Sequence, residues 1–230
     1  MRTPRKIRLP SEGSERLSPT IYHELQSRIL SGIHRPGEWL SVEEIAKAFE
    51  VSRQPVMEAM RRLSGDWLVE IVPQVGCRVA SYEVQSMFDF IEAFGGIQSR
   101  LAELATARRT DEQLIQLQIL MDEINLQTEL DQENLRLGHE FHRIIQEMAH
   151  SEVLSRLCEQ MWAFGTFAFN NLVTQGAQSE HVELRRSNLA RLVKAIEDRD
   201  GASARTLTEI WLTGRGGWFA FDPESGAEKA

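Results

Sequence analysis

The chain has 230 residues, 42% of them hydrophobic and 26% charged, with 26 Lys and Arg against 34 Asp and Glu and a formal net charge of −8. This is an ordinary globular composition, enough for one large or two modest domains. It excludes a membrane span, since no stretch is apolar enough, and a signal peptide, since the basic start from Met1 to Leu9 lacks an apolar core; a cytoplasmic protein is expected. Cys77 and Cys158 form no C-x-x-C pair and are expected to be reduced thiols. The acidity is uneven, because residues 1–82 hold 12 Lys and Arg against 10 Asp and Glu while residues 83–230 hold 14 against 24. The first part can therefore still meet nucleic acid through local placement of charge, with binding that weakens steeply with salt.

In chain order, residues 1–17 read as a flexible basic tail in which Arg2, Arg5, Lys6 and Arg8 are solvated. Within residues 18–80, Ser41 followed by Glu44 is a capping box, so a helix begins near Val42, and Glu43 and Glu44 complement the dipole of its first turn. Val51 leaves that helix at a tight turn. Ser52 is placed to cap the next helix, which begins near Arg53 and holds Pro55 in its first turn, where a missing N–H costs nothing. At about 100° per residue, Val56, Ala59, Met60 and Leu63 fall on the packing side of this helix, and Arg53, Gln54, Met57, Glu58 and Arg61 fall on the other. Leu68 to Val72 and Cys77 to Ala80 suit two strands joined by the turn Pro73-Gln74-Val75-Gly76.

That order of parts is a winged helix-turn-helix. A recognition helix reads base edges with its outward N-terminal residues, where Arg53 can fork onto guanine and Gln54 onto adenine, while Arg61 suits a phosphate. Arg78 and the Gly76 backbone are placed to approach DNA at the wing. The segments Gly37-Glu38-Trp39-Leu40-Ser41 and Val51 through Leu63 resemble the GntR family of bacterial transcription regulators. The resemblance implies a homodimer on a double-stranded operator of two inverted half-sites, with Arg35, Arg53 and the Gly76 turn among the DNA contacts. The full candidate set is Arg35, Ser41, Ser52, Arg53, Gln54, Pro55, Met57, Arg61, Gly76 and Arg78. Met57 departs from the family, which commonly carries Arg there.

After the linker Ala80-Ser81-Tyr82 nearly everything has helical period, so residues 83–221 read as an all-helical domain and residues 222–230 as a loose tail. Helices are expected near 84–109, 111–126, 131–149, 152–171, 179–199 and 202–214, the first bending at Gly95-Gly96. Thr110 with Gln113 makes a second capping box, Ser179 is placed to cap a later helix, and Asp200-Gly201 to end it. The fold class is thus mainly α, a winged helix-turn-helix with a small β-wing followed by a helical bundle.

The helix order, with Leu104 through Thr110, Glu140-Phe141-His142-Arg143 and Ala195 through Asp200, resembles the C-terminal effector domain of the FadR branch of the GntR family. The resemblance implies a metal held by an Asp and a His one turn apart plus two later His. Here His142 matches, but the other places carry Gly138, Leu189 and Trp211, so no metal or other cofactor is expected. His139 and His181 are the remaining substitutes. Phe94 and Gln98 stand where the branch carries an Arg and a Glu that grip a carboxylate. Phe94, Gln98, His142, Leu189 and Trp211 would then line a more apolar, less charged effector pocket suited to a larger or neutral, aromatic or acyl small molecule. Arg185, one turn before Leu189, could serve an anionic ligand but is expected at the surface. The function implied is a repressor whose operator binding is modulated by an effector in the helical domain, which alters the spacing of the two DNA heads. The alternative is a constitutive or architectural DNA binder whose pocket has filled in. With no phosphate loop, nucleophile elbow or metal-hydrolase motif, no enzyme is expected.

Overall fold

A computed structural model describes residues 17–128, 132–172, 178–212, 221–222 and 227–228. The basic tail before Leu17 lies outside them. The chain divides into two compact units, residues 1–83 and 84–230.

The first unit runs α1 (Leu17–Leu30), β1 (Trp39–Leu40), α2 (Val42–Ala48), α3 (Arg53–Gly65), β2 (Val69–Val72) and β3 (Gly76–Val79). Ser41 caps α2, its Oγ accepting from Glu44 N at 3.2 Å. The turn out of α2 is made by Glu50 at φ 55°, with Val51 N donating back to Ala46 O at 2.9 Å. Ser52 holds the N-cap position of α3, but its hydroxyl makes no capping bond, which corrects the expected cap. Ile21, Leu25 and Ile29 of α1 are buried, as are Val56, Ala59, Met60 and Leu63 of α3, and α1 packs on α3. The wing is three-stranded rather than two-stranded. β3 lies between β1 and β2, antiparallel to both, with Trp39 opposite Arg78 and Glu70 opposite Arg78 on the other side. Two residues are too few to show a period of two, so β1 leaves no pattern in the sequence.

The second unit holds α4 (Val84–Arg108), α5 (Asp111–Asn125), α6 (Gln132–Met148), α7 (Glu152–Leu172), α8 (Gln178–Glu197) and α9 (Gly201–Leu212). α4 runs through Gly95 and Gly96 as one helix and packs against α9, α7, α6 and α8. Thr110 and Gln113 form both halves of the capping box, at 3.2 and 3.0 Å. α8 already includes Gln178, so Ser179 stands inside the helix rather than before it; its side chain is outside the described residues. Asp200 was expected to end α8, yet it starts α9: Ser203 N donates to Asp200 Oδ1 at 3.0 Å. The left-handed residue that closes α8 is Arg199, at φ 57°, with Asp200 N donating to Ala195 O at 2.9 Å. The tail is not wholly loose, since Phe221–Asp222 (β4) pairs antiparallel with Ala227–Glu228 (β5).

Candidate functional site

The candidate recognition helix α3 is packed on one side and exposed on the other. Arg53, Gln54, Glu58 and Arg61 are exposed and Met57 is half-buried. Pro55, expected among the DNA contacts, is instead buried against the unit's own core, so its side chain does not face outward. Arg53 Nη2 lies 2.9 Å from Glu43 Oε1, an ion pair that joins the start of α3 to the first turn of α2. Gln54 Nε2 donates to Glu58 Oε1 at 3.4 Å. Ser41 and Ser52 are exposed, the former engaged as a cap. Arg35 is exposed, and its backbone N–H donates to Glu38 Oε2 at 2.9 Å. That bond, with His34 beside the carboxylate, holds Glu38 below the usual carboxylate range against the opposing effect of desolvation.

At the wing, Gly76 has φ 150°, and a Cβ there would meet the Trp39 ring at 3.7 Å. Arg78 is half-buried, 2.7 Å from Glu70 Oε2, with its guanidinium 5.7 Å from the Trp39 ring centre. Sequence reasoning placed Glu58 on the outward face of α3 and Glu43 in the first turn of α2 but paired neither of them, nor Glu70, with the candidate contacts they hold, and gave Trp39 no role. Glu43 looked like a dipole residue because its partner is ten positions away, across a turn.

In the helical unit the expected pocket residues Phe94, Gln98, His142, Arg185, Leu189 and Trp211 are all buried. Phe94 and Gln98 lie one turn apart on α4; Gln146, one turn after His142 on α6, donates to Gln98 Oε1 at 3.5 Å. Trp162 of α7 stands among three of the nearby rings: its ring centre is 5.8 Å from Phe94, 5.4 Å from His142 and 4.5 Å from His139. Trp162 lay unnoticed in the sequence, since one aromatic on an apolar helix face carries no distinguishing spacing. Leu189 sits instead in an apolar cluster with Leu117, Phe141 and Ile196, and Phe94 in another with Leu101 and Cys158. Among the described residues, two buried polar atoms have no hydrogen-bond partner, Gln98 Nε2 and His139 Nε2. The latter is 3.8 Å from Glu159 Oε2, too long for a hydrogen bond. The side chain of His181 lies outside the described residues.

Arg185 is 8% exposed, which corrects its expected surface place. The reason is on another helix: a Cβ built on Gly138 of α6 would overlap Nη2 of Arg185, so the guanidinium fills the space a side chain there would take. Burial pulls the Arg185 pKa down to about 10, which leaves it charged at neutral pH. Burial first, then the Arg185 and His139 charges, push His142 down to about 3, so its imidazole is neutral. The site is thus less empty of charge than its sequence suggested.

The model for bacterial regulatory proteins of the gntR family matches residues 17–79, and the FCD domain model matches residues 89–213, more than half of the chain. The chain belongs to the GntR family. Among its relatives, the Uxu operon regulator of Haemophilus influenzae is 29% identical over 196 residues, 79% of this chain and 73% of that protein. The regulator YdhC of Bacillus subtilis is 29% identical over 145 residues, 61% of this chain and 64% of its own length, and the repressor RspR of Escherichia coli is 28% identical over 58% of this chain and 59% of its own. The solved structure of Escherichia coli McbR/YncC superposes with a TM-score of 0.70 at 18% identity, covering 87% of this chain and 94% of that one, and shares the fold.

In this GntR-family chain the residues at the implied metal position do not fit a metal. Gly138 supplies no ligand atom, a guanidinium occupies its space, and Leu189 and Trp211 offer none of the nitrogen, sulfur or carboxylate donors a divalent ion takes. Among the described residues no three His, Cys, Asp or Glu side chains come together to hold an ion, and no helix is long and apolar enough to cross a membrane.

Proposed function

We propose that this protein is a sequence-specific DNA-binding transcription repressor, working as a cytoplasmic homodimer on an inverted-repeat operator and modulated by a small molecule held in its helical unit. The observation that carries the reading is the division of α3: Val56, Ala59, Met60 and Leu63 are fully packed, while the N-terminal turn offers Arg53 and Gln54 outward, with Arg61 two turns on. This is the disposition a helix needs to enter a major groove, with a fork-shaped donor for guanine, an amide for adenine and a cation for phosphate. Arg78 and the Gly76 turn extend the same surface to the wing. The names of relatives support regulation and, for RspR, repression.

For the modulating ligand, the support is the cluster around Trp162. Gln98 Nε2 is a buried donor without a partner, and the Arg185 guanidinium is a fixed charge beside neutral His142. A ligand presenting an acceptor to Gln98 Nε2 would satisfy that donor with no metal required.

Selection of operator sequences from a random double-stranded pool at moderate salt tests the DNA reading. An enriched inverted repeat is expected for the native protein, and its loss for Arg53→Ala; retention of DNA without any preferred sequence would overturn specific recognition. A second reading, constitutive DNA binding, is favoured by the packing of Phe94 and Leu189 in apolar clusters. It predicts that no small molecule releases the selected operator.

A further inference from the structure

Three groups of the candidate DNA-facing surface are already held by a carboxylate. Arg53 is joined to Glu43, Arg78 to Glu70, and Gln54 to Glu58. Of these, the pair between Arg53 and Glu43 stands at the first position of the recognition helix and links it to α2, with the two side chains 70% and 63% exposed. A pair so exposed adds little to folding. Its consequence falls on whatever the Arg53 guanidinium touches next.

We infer that Glu43 is a specificity-determining residue for DNA, acting by holding and counter-charging Arg53. The inference rests on the reading of α3 as the recognition helix. The pair uses one guanidinium nitrogen, Nη2, and so leaves N–H donors on Nη1 and Nε for another acceptor. A guanidinium already held near the helix start by its carboxylate loses less rotamer freedom when it meets the two acceptors of guanine in the groove. Against phosphate the same carboxylate works the other way. It cancels the arginine's charge and carries its own repulsion to the backbone, so Arg53 contributes little to the counterion release that drives binding to any sequence. Base readout is retained while indifferent attraction is suppressed, which is how repulsive elements produce specificity. Residues 1–82, with 12 Lys and Arg against 10 Asp and Glu, have little excess cation to blur this balance.

The test uses the full-length protein and four versions of it: native, Glu43→Gln, Arg53→Ala and the double variant. Affinity is measured by fluorescence anisotropy for the selected operator and for a random-sequence duplex across a salt series. Glu43→Gln is expected to bind the random duplex roughly fivefold tighter, as removal of an exposed charge pair permits. Its salt dependence should steepen by about 0.9 in logarithmic slope, equivalent to one more phosphate contact. Operator affinity should rise less, so that the operator-to-random ratio falls. In the Arg53→Ala background Glu43→Gln should leave that ratio unchanged, because its partner is gone. A ratio untouched by Glu43→Gln, or one that falls equally without Arg53, overturns the inference while leaving α3 as the reader. If Arg53→Ala itself keeps the operator preference, the recognition-helix reading fails and the role of Glu43 fails with it.

Discussion

A buried guanidinium needs room, and on α6 the room comes from Gly138. Leu184-Arg185-Arg186 reads as a solvated run on a helix that is polar on most sides, yet Arg185 is inside while Arg186 reaches Asn125 O and pairs with Glu183 at the surface. What separates the two arginines is an absent side chain 47 positions earlier, and no periodicity within α8 encodes it. Gly138→Ala must displace the Arg185 head group from its site, and overpacking of this kind costs roughly 1–3 kcal/mol. Chemical unfolding should show that loss in the helical unit. Arg185→Met removes the obstructing guanidinium, so the double variant should be more stable than the sum of the two single losses predicts. Additive losses would mean that the two residues do not share this space.

Helix ends show the same dependence on distant partners. Arg108 Nη1 donates to Ala149 O at 2.9 Å, Arg109 to Ile196 O and Glu197 O at 3.0 Å each, and Arg199 to Thr106 O at 3.1 Å. Each arginine thus donates to carbonyls at the end of another helix, where a cation also meets the negative end of the dipole. Arg109 is the buried one of the three, at 8% exposure, and its third bond runs to Asp111 at 2.8 Å. Arg109→Met is expected to destabilise the helical unit by roughly 2–3 kcal/mol, the range for the loss of hydrogen bonds from a charged group. Thr110→Ala, which removes one half of the neighbouring capping box, should cost about 1 kcal/mol. Thermal unfolding of the two variants would rank them, and a Thr110→Ala loss as large as that of Arg109→Met would contradict the assignment. The box was legible because its two residues are three apart, as the six long helices were legible from their period. β1 was not, being two residues long, and Asp200 was assigned to the wrong helix because a left-handed Arg199 does what glycine more often does. At the candidate DNA face the outward residues of α3 followed from helical spacing, whereas their carboxylate partners Glu43 and Glu70 needed the fold.

Across the whole molecule, the two units should respond differently to acid, because a fully buried imidazole belongs to only one of them. His142 has an ordinary value of 6.5 in an unfolded chain and about 3 when folded, lowered first by burial and then by Arg185 and His139. Between those values the unfolded chain takes up a proton that the folded bundle refuses, so stability rises with pH through this window. The contribution is complete above pH 6.5 and is lost as pH falls, at up to about 1.4 kcal/mol per pH unit. His139, lowered mainly by burial although Glu159 and Glu140 oppose the shift, acts in the same direction. The carboxylates held below their ordinary value of 4.5, such as Glu133 and Glu140, lose their contribution at lower pH, so the range from 6.5 to 4.5 isolates the histidines. Urea unfolding of the full chain at pH 7.5, 6.0 and 5.0, followed by far-ultraviolet circular dichroism, should show the helical unit weakening with acid. His142→Asn keeps a polar group of similar reach that takes up no proton in this range, and should flatten the dependence to the part owed to His139. An unchanged slope in that variant would place the titrating group elsewhere and remove the case for a neutral imidazole beside a charged guanidinium in the bundle.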